Sequence, residues 1–163
     1  MLNLRVMLNH FLNIGWTILG FLPVYYFWSL HGLGWPFYAL LLISCIAFFL
    51  PEKLYSKLKV SKDLRVYKRL GVKFVRRFAQ DGDFEPSKGV KGYLSKIRMF
   101  ERYHFCCLIF FEASSVYACY FEEYLLAFLI FFGNILYNVF PILLQQYNRI
   151  RITRILKQQG LHM

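Results

Sequence analysis

The chain has 163 residues, of which 58% are hydrophobic and 20% aromatic, and its formal net charge is +11. This apolar fraction exceeds that of soluble domains and predicts a single all-α integral membrane domain over residues 1–163. The charge does not indicate a nucleic-acid-binding protein, because 15 of the 20 Lys and Arg residues lie between Lys53 and Arg102, flanked by apolar segments. Such clusters are typical of cytoplasmic loops that contact anionic headgroups. We expect membrane lipids as partners and no nucleic acid, and the composition leaves the oligomeric state open.

Two apolar segments begin the chain. Residues 11–30 are mostly apolar and long enough to cross the hydrocarbon layer as a helix. No small-x-small cleavage pattern follows them, so we interpret them as a membrane span and not as a signal peptide. Residues 33–50 form a second, slightly short segment that ends at Pro51 and either crosses the membrane or re-enters it.

A basic segment, residues 52–102, comes next. Its Leu, Val and Phe residues are interleaved with Lys and Arg, which predicts at least one amphipathic helix on the membrane surface. Asp81 and Gly82 are typical turn residues and interrupt this pattern. Arg76 and Arg77 are candidates for binding the phosphates of a donor substrate, and a solvated helix face is the alternative.

Glu101 and His104 lie where the basic segment meets a third apolar segment, residues 105–120. Their spacing places both side chains on one helix face, so the carboxylate can orient the imidazole. A histidine at a membrane boundary can act as a general base near neutral pH. The alternatives are an interfacial anchor and a metal-dependent enzyme, although a di-iron bundle would need a second Glu-x-x-His copy.

Glu112 continues this polar stripe inside the third span. An ionisable side chain within a span needs a partner or a wet cavity. We expect Glu112 to contact the face of the fourth span that carries Asn134 and Asn138, and not to face lipid. A protonated, purely structural carboxyl group is the alternative.

Polar residues recur at steps of three or four along the fourth span, residues 124–144, and into the tail. They define one helix face directed toward the other helices. These residues are Asn134, Asn138, Pro141, Gln145 and Asn148. Pro141 should also distort the helix and release a backbone carbonyl near Tyr137.

The sequence pattern of the tail, residues 145–163, predicts a second basic amphipathic helix. Its Arg149 and Arg151 either anchor the tail at the membrane surface or bind an anion. Four spans with both basic segments on one side satisfy the positive-inside rule. The sequence thus predicts a multi-pass protein of the cell (inner) membrane with both termini in the cytoplasm.

Five motifs, taken in order, resemble those of the small bacterial membrane acyltransferases named for glycosyl-diaponeurosporenoate acyltransferase. The motifs are Tyr67 to Arg77, Asp81-Gly82, Glu101-x-x-His104, Asn138-x-x-Pro141, and Gln145-Gln146-Tyr147-Asn148-Arg149-x-Arg151. The resemblance covers roughly residues 60 to 157. It implies transfer of a fatty acyl group to the sugar of a glycosylated carotenoid in staphyloxanthin-type pigment synthesis. The basic residues of the central segment suit the phosphates of acyl-CoA as the donor substrate, and we expect no cofactor.

The residue chemistry and the resemblance together give the candidate site. His104 would be the general base, oriented by Glu101, while Asn148, Arg149 or Arg151 would stabilise the oxyanion. The candidates for substrate binding are Asn138, Gln145, Asn148, Arg149, Arg151, Arg76, Arg77, Asp81 and Glu112. The acceptor would be a hydroxyl of a glycolipid or glycosylated isoprenoid at the cytoplasmic leaflet. A non-enzymatic membrane scaffold or lipid-binding subunit is the alternative, and it would need neither Glu101 nor His104.

The charge asymmetry generates a prediction about topology. Residues 52–102 should be cytoplasmic, and the turns near Gly34 and Glu122 should lie outside, because basic loops stay on the cytoplasmic side. Cysteine-accessibility labelling of Ser87→Cys and Glu122→Cys variants in sealed membranes should label the two positions from opposite sides. Labelling of both positions from the same side would exclude the four-span arrangement.

Overall fold

The structure is a computed structural model of the chain, and it describes residues 4–75 and 90–158. All regular secondary structure within these residues is helical, which confirms the all-α prediction for them. The helices are α1 Leu4–His31, α2 Trp35–Phe48, α3 Glu52–Lys57, α4 Leu64–Arg69, α5 Val72–Val75, α6 Val90–Tyr120, α7 Tyr124–Asn134 and α8 Phe140–Gln158, and a π-helical turn Ile135–Val139 joins α7 to α8.

Local turn chemistry divides the beginning of the basic segment into the short helices α3, α4 and α5. Pro51 precedes α3, and the side chain of Asp63 caps α4 by accepting a 3.0 Å hydrogen bond from the backbone N–H of Arg65. Gly71 has φ +80°, a left-handed conformation that favours glycine, and it separates α4 from α5. Residues 52–75 of the basic segment are therefore folded as short helices.

The backbone contacts divide the chain into two compact units. The first unit comprises Met1–Phe49 and Tyr103–Val139, and the second comprises Leu50–Arg102 and Phe140–Met163. Each unit has its own packed interior.

The core of the first unit is formed by α1, the later part of α6, and α7. Its buried apolar residues are Val24, Phe27, Trp28, Phe111, Ala118, Ala127 and Ile130. Trp28 satisfies its indole N–H within this core by donating to Ser114 Oγ at 3.0 Å. α1 and α7 lie close together at Gly20 and Gly133, where a methyl group added at Gly133 would be in ordinary van der Waals contact, 3.6 Å from the carbonyl oxygen of Gly20.

The outer surface of the first unit is strongly apolar. Exposed Leu, Ile, Phe, Tyr and Trp side chains line α1, α2 and α7, and an apolar surface of this extent is typical of contact with lipid or another apolar partner. Among the residues that the structure describes, the continuous helical segment Tyr124–Lys157 is the one that is long and apolar enough to cross a membrane, while Trp35–Phe48 is apolar but shorter. These features support membrane association, and the four crossings stay a prediction.

The helical segment from α7 to α8 is irregular where the sequence predicted a distortion. Pro141 has no N–H group to donate to the carbonyl of Tyr137. The structure places the π-helical turn Ile135–Val139 immediately before it. This turn carries Tyr137 and Asn138, so the irregularity falls among the polar residues of the first unit.

The second unit packs α8 against the first half of α6 and the short helices α4 and α5. Its apolar cluster consists of Leu94, Ile97, Ile152 and Leu156. Tyr67 and Val72, from α4 and α5, are fully buried. Exposed apolar side chains remain on the segment that precedes α6, at Leu54, Leu58, Val60, Leu70 and Phe74.

The contact between Gly20 and Tyr137 generates a prediction about stability. A methyl group at Gly20 would lie 2.8 Å from Cγ and 3.0 Å from Cβ of Tyr137, so the root of the tyrosine side chain would have to move. Gly20→Ala should therefore destabilise the protein, because over-packing costs about 1–3 kcal/mol. Thermal unfolding of the full chain in detergent, followed by circular dichroism, measures this loss.

Gly15→Ala is the matched control for this experiment. It makes the same change in the same helix, but a methyl group at Gly15 would meet no atom within 4 Å. Since alanine favours a helix over glycine by about 1 kcal/mol, this variant should be at least as stable as the wild type. Equal unfolding midpoints for the two variants would contradict the packing of α1 on Tyr137.

Candidate active site

A chain of hydrogen bonds links the predicted base to the polar face of the fourth span. His104 Nδ1 lies 3.3 Å from Asn138 Oδ1, and Asn138 Nδ2 donates to Asn134 Oδ1 at 2.8 Å. Asn134 Nδ2 in turn donates to the backbone carbonyl of Leu108 at 3.1 Å and to Glu112 Oε2 at 3.3 Å. The structure thus brings His104, Asn138 and Glu112 into one network through Asn134.

Two helical rows position this network. His104, Leu108 and Glu112 are four residues apart along α6, and Asn134 and Asn138 are four residues apart on the facing segment. Residues at this spacing lie one above the other on a helix surface. Asn134 and Asn138 are 1% and 0% exposed, so their amides depend on each other and on α6 for hydrogen bonds.

His104 itself is half-buried among aromatic rings. Its ring centroid lies 5.1 Å from that of Tyr103 and 5.7 Å from that of Tyr137. Tyr137 is fixed in turn by an edge contact with Phe21 at 5.2 Å and by a 3.2 Å hydrogen bond between its hydroxyl group and Thr17 Oγ1. These contacts restrict the orientation of the imidazole and leave part of its surface exposed.

Glu112 makes the expected contact but is more exposed than the sequence predicts. The expected contact with Asn134 is present, but the residue is exposed at the surface of the described structure. Glu112 accepts this hydrogen bond through Oε2. It also lines an open, mainly apolar groove of about 630 Å³ with Leu40, Ile109, Ala113, Val116, Tyr117 and Tyr120.

A buried ion pair connects α6 with α8 in the second unit. Arg149 Nη2 donates to Glu101 Oε1 at 3.1 Å, and Arg149 Nη1 lies 3.7 Å from Glu52 Oε1. Glu101 is 3% exposed and Arg149 is 8% exposed, so both charges are almost fully removed from water. Glu52 is exposed and also lies within 4 Å of Arg98 and Arg102.

Burial is the main influence on the titration of Glu101. It raises the pKa of the Glu101 carboxyl group above its usual value, while Arg149 and a hydrogen bond from Gln146 act in the opposite direction. Burial and the charge of Arg149 lower the pKa of Lys59 nearby. Arg149 Nε is buried without a hydrogen-bond partner among the described residues, so the guanidinium depends on its two terminal nitrogens for compensation.

Gln146 and Tyr67 complete the polar interior of the second unit. Gln146 Oε1 lies 3.0 Å from Tyr67 Oη and accepts from the backbone N–H of Val60 at 3.2 Å. Tyr67 Oη also lies 3.0 Å from the carbonyl oxygen of Ser61. The loop between α3 and α4 is therefore bound to α8 by polar contacts.

Sequence reasoning missed Glu52, Gln146 and Tyr67 as site residues and used Asn134 only to define a helix face. Tyr67 and Gln146 lie inside the motifs quoted for the resemblance, which was the available signal for them. No local sequence pattern marks Glu52 as a site residue, because the arginines that lie near it in the structure, Arg98, Arg102 and Arg149, are distant along the sequence.

The remaining predicted residues are distributed as follows. Gln145 and Asn148 are buried in the second unit, and Arg151 is half-buried there. Arg76, Arg77 and Asp81 lie outside the described residues. The structure gives Glu101 a partner in Arg149 and gives His104 a partner in Asn138, while the predicted pairing of Glu101 with His104 stays a prediction. Within residues 4–75 and 90–158, no three His, Cys, Asp or Glu side chains are grouped to hold a metal ion.

These features define an all-helical protein with a strongly apolar surface and a histidine held in a buried amide network. The chain belongs to the family of glycosyl-4,4'-diaponeurosporenoate acyltransferase (CrtO), whose family model matches residues 51–158, about two thirds of the sequence. This match confirms the resemblance and the prediction of an acyltransferase, and it begins early enough to include Glu52. No curated protein and no solved structure matches the chain.

The buried ion pair generates a prediction about stability. Arg149→Met should destabilise the full chain by about 3 kcal/mol, because it leaves the Glu101 carboxylate buried without compensation. Adding Glu101→Gln should recover part of this loss, since the double variant no longer buries an unpaired charge. Thermal unfolding in detergent measures both changes.

Arg154→Met is the matched control for the pair. Arg154 is exposed on the same helix and donates to the carbonyl oxygen of Lys62 at 3.1 Å, so its replacement should cost well under 1 kcal/mol. Equal losses from Arg149→Met and Arg154→Met, with no recovery in the double variant, would contradict a structural role for the pair.

Proposed function

We propose that the protein transfers a fatty acyl group from a thioester donor to a sugar hydroxyl of a glycosylated isoprenoid lipid at the cytoplasmic leaflet. The family name gives the acceptor class, a glycosyl diaponeurosporenoate. The observation that carries the proposal is the hydrogen bond between His104 and Asn138, at 3.3 Å, which fixes an imidazole at the edge of an apolar helix bundle. A lipid acceptor can present its sugar at such an edge while its chain stays in the apolar phase.

His104 acts as the general base in this proposal. An imidazole nitrogen takes the proton of the acceptor hydroxyl as the oxygen attacks the carbonyl carbon of the thioester. A C–O bond forms and a tetrahedral oxyanion results. When the oxyanion collapses, the C–S bond breaks, the thiolate leaves, and the imidazolium returns its proton to the sulfur. The products are an ester and a thiol, and His104 is neutral again.

The cations of the second unit are proposed to bind the anionic part of the donor. Acyl-CoA is the expected donor, because its phosphates suit guanidinium and ammonium groups. Arg151 is half-buried, whereas Arg149 is engaged by Glu101 and Glu52. We therefore assign donor binding to Arg151 and to the basic segment, and assign to Arg149 the task of holding Glu101.

The proposed role of His104 generates a prediction about activity. His104→Ala should lower acyl transfer about 10²-fold or more, because a general base typically contributes 10²–10⁴. Glu101→Gln should have a smaller effect, since it removes a charge of the second unit but leaves the imidazole in place. Membranes containing the full chain are given radiolabelled acyl-CoA and a glycosylated carotenoid, and the labelled ester is measured at matched protein levels.

His31→Gln is the matched histidine control. His31 Nε2 lies 2.8 Å from Glu123 Oε1, and an amide can keep this hydrogen bond. The control should retain acyl transfer close to that of the wild type. Full activity of His104→Ala would remove the base from the mechanism, and acylation of a diacylglycerol glycolipid in preference to the carotenoid would overturn the proposed acceptor.

A further inference from the structure

We propose that Asn134 and Asn138 are positioning residues that hold neutral His104 in one tautomer, with the proton on Nδ1 and the lone pair on Nε2. The catalytic consequence of this inference rests on the proposed function, because it identifies Nε2 as the atom that accepts the substrate proton. The tautomer itself follows from the hydrogen-bond network alone.

The orientation of the network is set at the Leu108 carbonyl. A carbonyl oxygen can only accept, so the atom of Asn134 that lies 3.1 Å from it must be the amide nitrogen. The same nitrogen lies 3.3 Å from Glu112 Oε2, a second acceptor. Rotation of the Asn134 amide by 180° would place its oxygen against two oxygens, and this orientation is therefore excluded.

The orientation of the Asn138 side-chain amide follows from that of Asn134. The oxygen of Asn134 can only accept, so the atom of Asn138 at 2.8 Å from it must be the amide nitrogen. The oxygen of Asn138 consequently faces His104. Since Asn134 and Asn138 are almost completely buried, water offers little compensation for a reversed amide.

The last step assigns the imidazole. Asn138 Oδ1 lies 3.3 Å from His104 Nδ1, and this pair forms a hydrogen bond when Nδ1 carries the proton. The other neutral tautomer would set the lone pair of Nδ1 against the lone pairs of the amide oxygen. Nε2 is therefore the basic nitrogen of neutral His104.

This arrangement suits a proton that is taken up and returned during one turnover. When Nε2 receives the proton of the acceptor, the imidazolium still donates its Nδ1 hydrogen to Asn138. The network therefore needs no rearrangement between the two protonation states. The orienting group is a neutral amide, in contrast to the carboxylate partner of a serine-protease histidine, but both accept from Nδ1.

Nitrogen-15 NMR of the full chain in lipid bilayers tests the tautomer directly. The protein is labelled with ¹⁵N-histidine, and the His104 signals are assigned as those lost in His104→Gln. At a pH where the ring is neutral, the wild type should show a protonated Nδ1 and an unprotonated Nε2. A protonated Nε2 in the wild type would overturn the inference, whatever the activity.

Variants at position 138 separate positioning from packing. Asn138→Leu removes the acceptor, so both tautomers should appear and acyl transfer should fall about 10-fold or more, though less than on loss of the base itself. Asn138→Asp keeps an oxygen facing Nδ1, so it should retain the Nδ1–H tautomer and more activity than Asn138→Leu. An unchanged single tautomer in Asn138→Leu would overturn the inference.

Ser115→Ala is the control for loss of a buried hydrogen bond in the same unit. Ser115 Oγ donates to the Ala127 carbonyl at 2.9 Å and does not belong to the network. This variant should keep both the His104 tautomer and the activity, and a tautomer change in it would overturn the specific role of Asn138. If His104→Gln retains activity while the wild type shows the Nδ1–H tautomer, the proposed function fails and the tautomer assignment stands.

Discussion

Asn134 must satisfy its amide inside an apolar helix bundle, and the way it does so determines the arrangement of the polar side chains around it. Its nitrogen is bound to the backbone of α6 at Leu108, so the amide cannot reverse. The orientation of the Asn138 amide follows from that of Asn134, and the tautomer of His104 follows from that of Asn138, because a single donor–acceptor assignment fits at each step. A buried polar network of this kind is stable when every member has a partner, because an unsatisfied group in a low-dielectric interior is costly. The same requirement that stabilises the helix contact therefore also orients the imidazole of His104.

The second unit meets the opposite requirement, because it buries full charges. Glu101 and Arg149 lose their hydration together, so their mutual attraction must offset the desolvation of both charges. Glu52 adds a second carboxylate from α3, and Gln146 contacts Tyr67 and the loop after α3. These contacts join α8 to segments that lie about ninety residues earlier in the sequence. The long polar side chains of α8 thus add to the apolar cluster of the second unit in holding α8 against these segments.

The sequence allowed the helical class, the family and the main polar residues to be predicted, because these depend on periodicity and local spacing. The contact of Glu112 with Asn134 followed from the polar stripe, but its exposure did not, since a stripe does not show where an interface ends. Glu101 and His104 were paired because they are three residues apart. Arg149 and Asn138 became visible as their partners in the folded chain, at separations of 48 and 34 residues. Long-range partners of this kind leave no periodic signal in a single sequence.

The contact between α1 and Tyr137 shows that the segment matching the family and the packed structure around His104 have different boundaries. The family match begins at residue 51, yet the ring beside His104 is held by Gly20, Phe21 and Thr17, which lie before it. The border drawn by sequence similarity therefore passes through a packed interface. A segment excised at that border would keep the family motifs and lose one wall of the imidazole's surroundings. In this chain, the segment that matches the family and the segments that surround His104 are therefore different parts of the polypeptide.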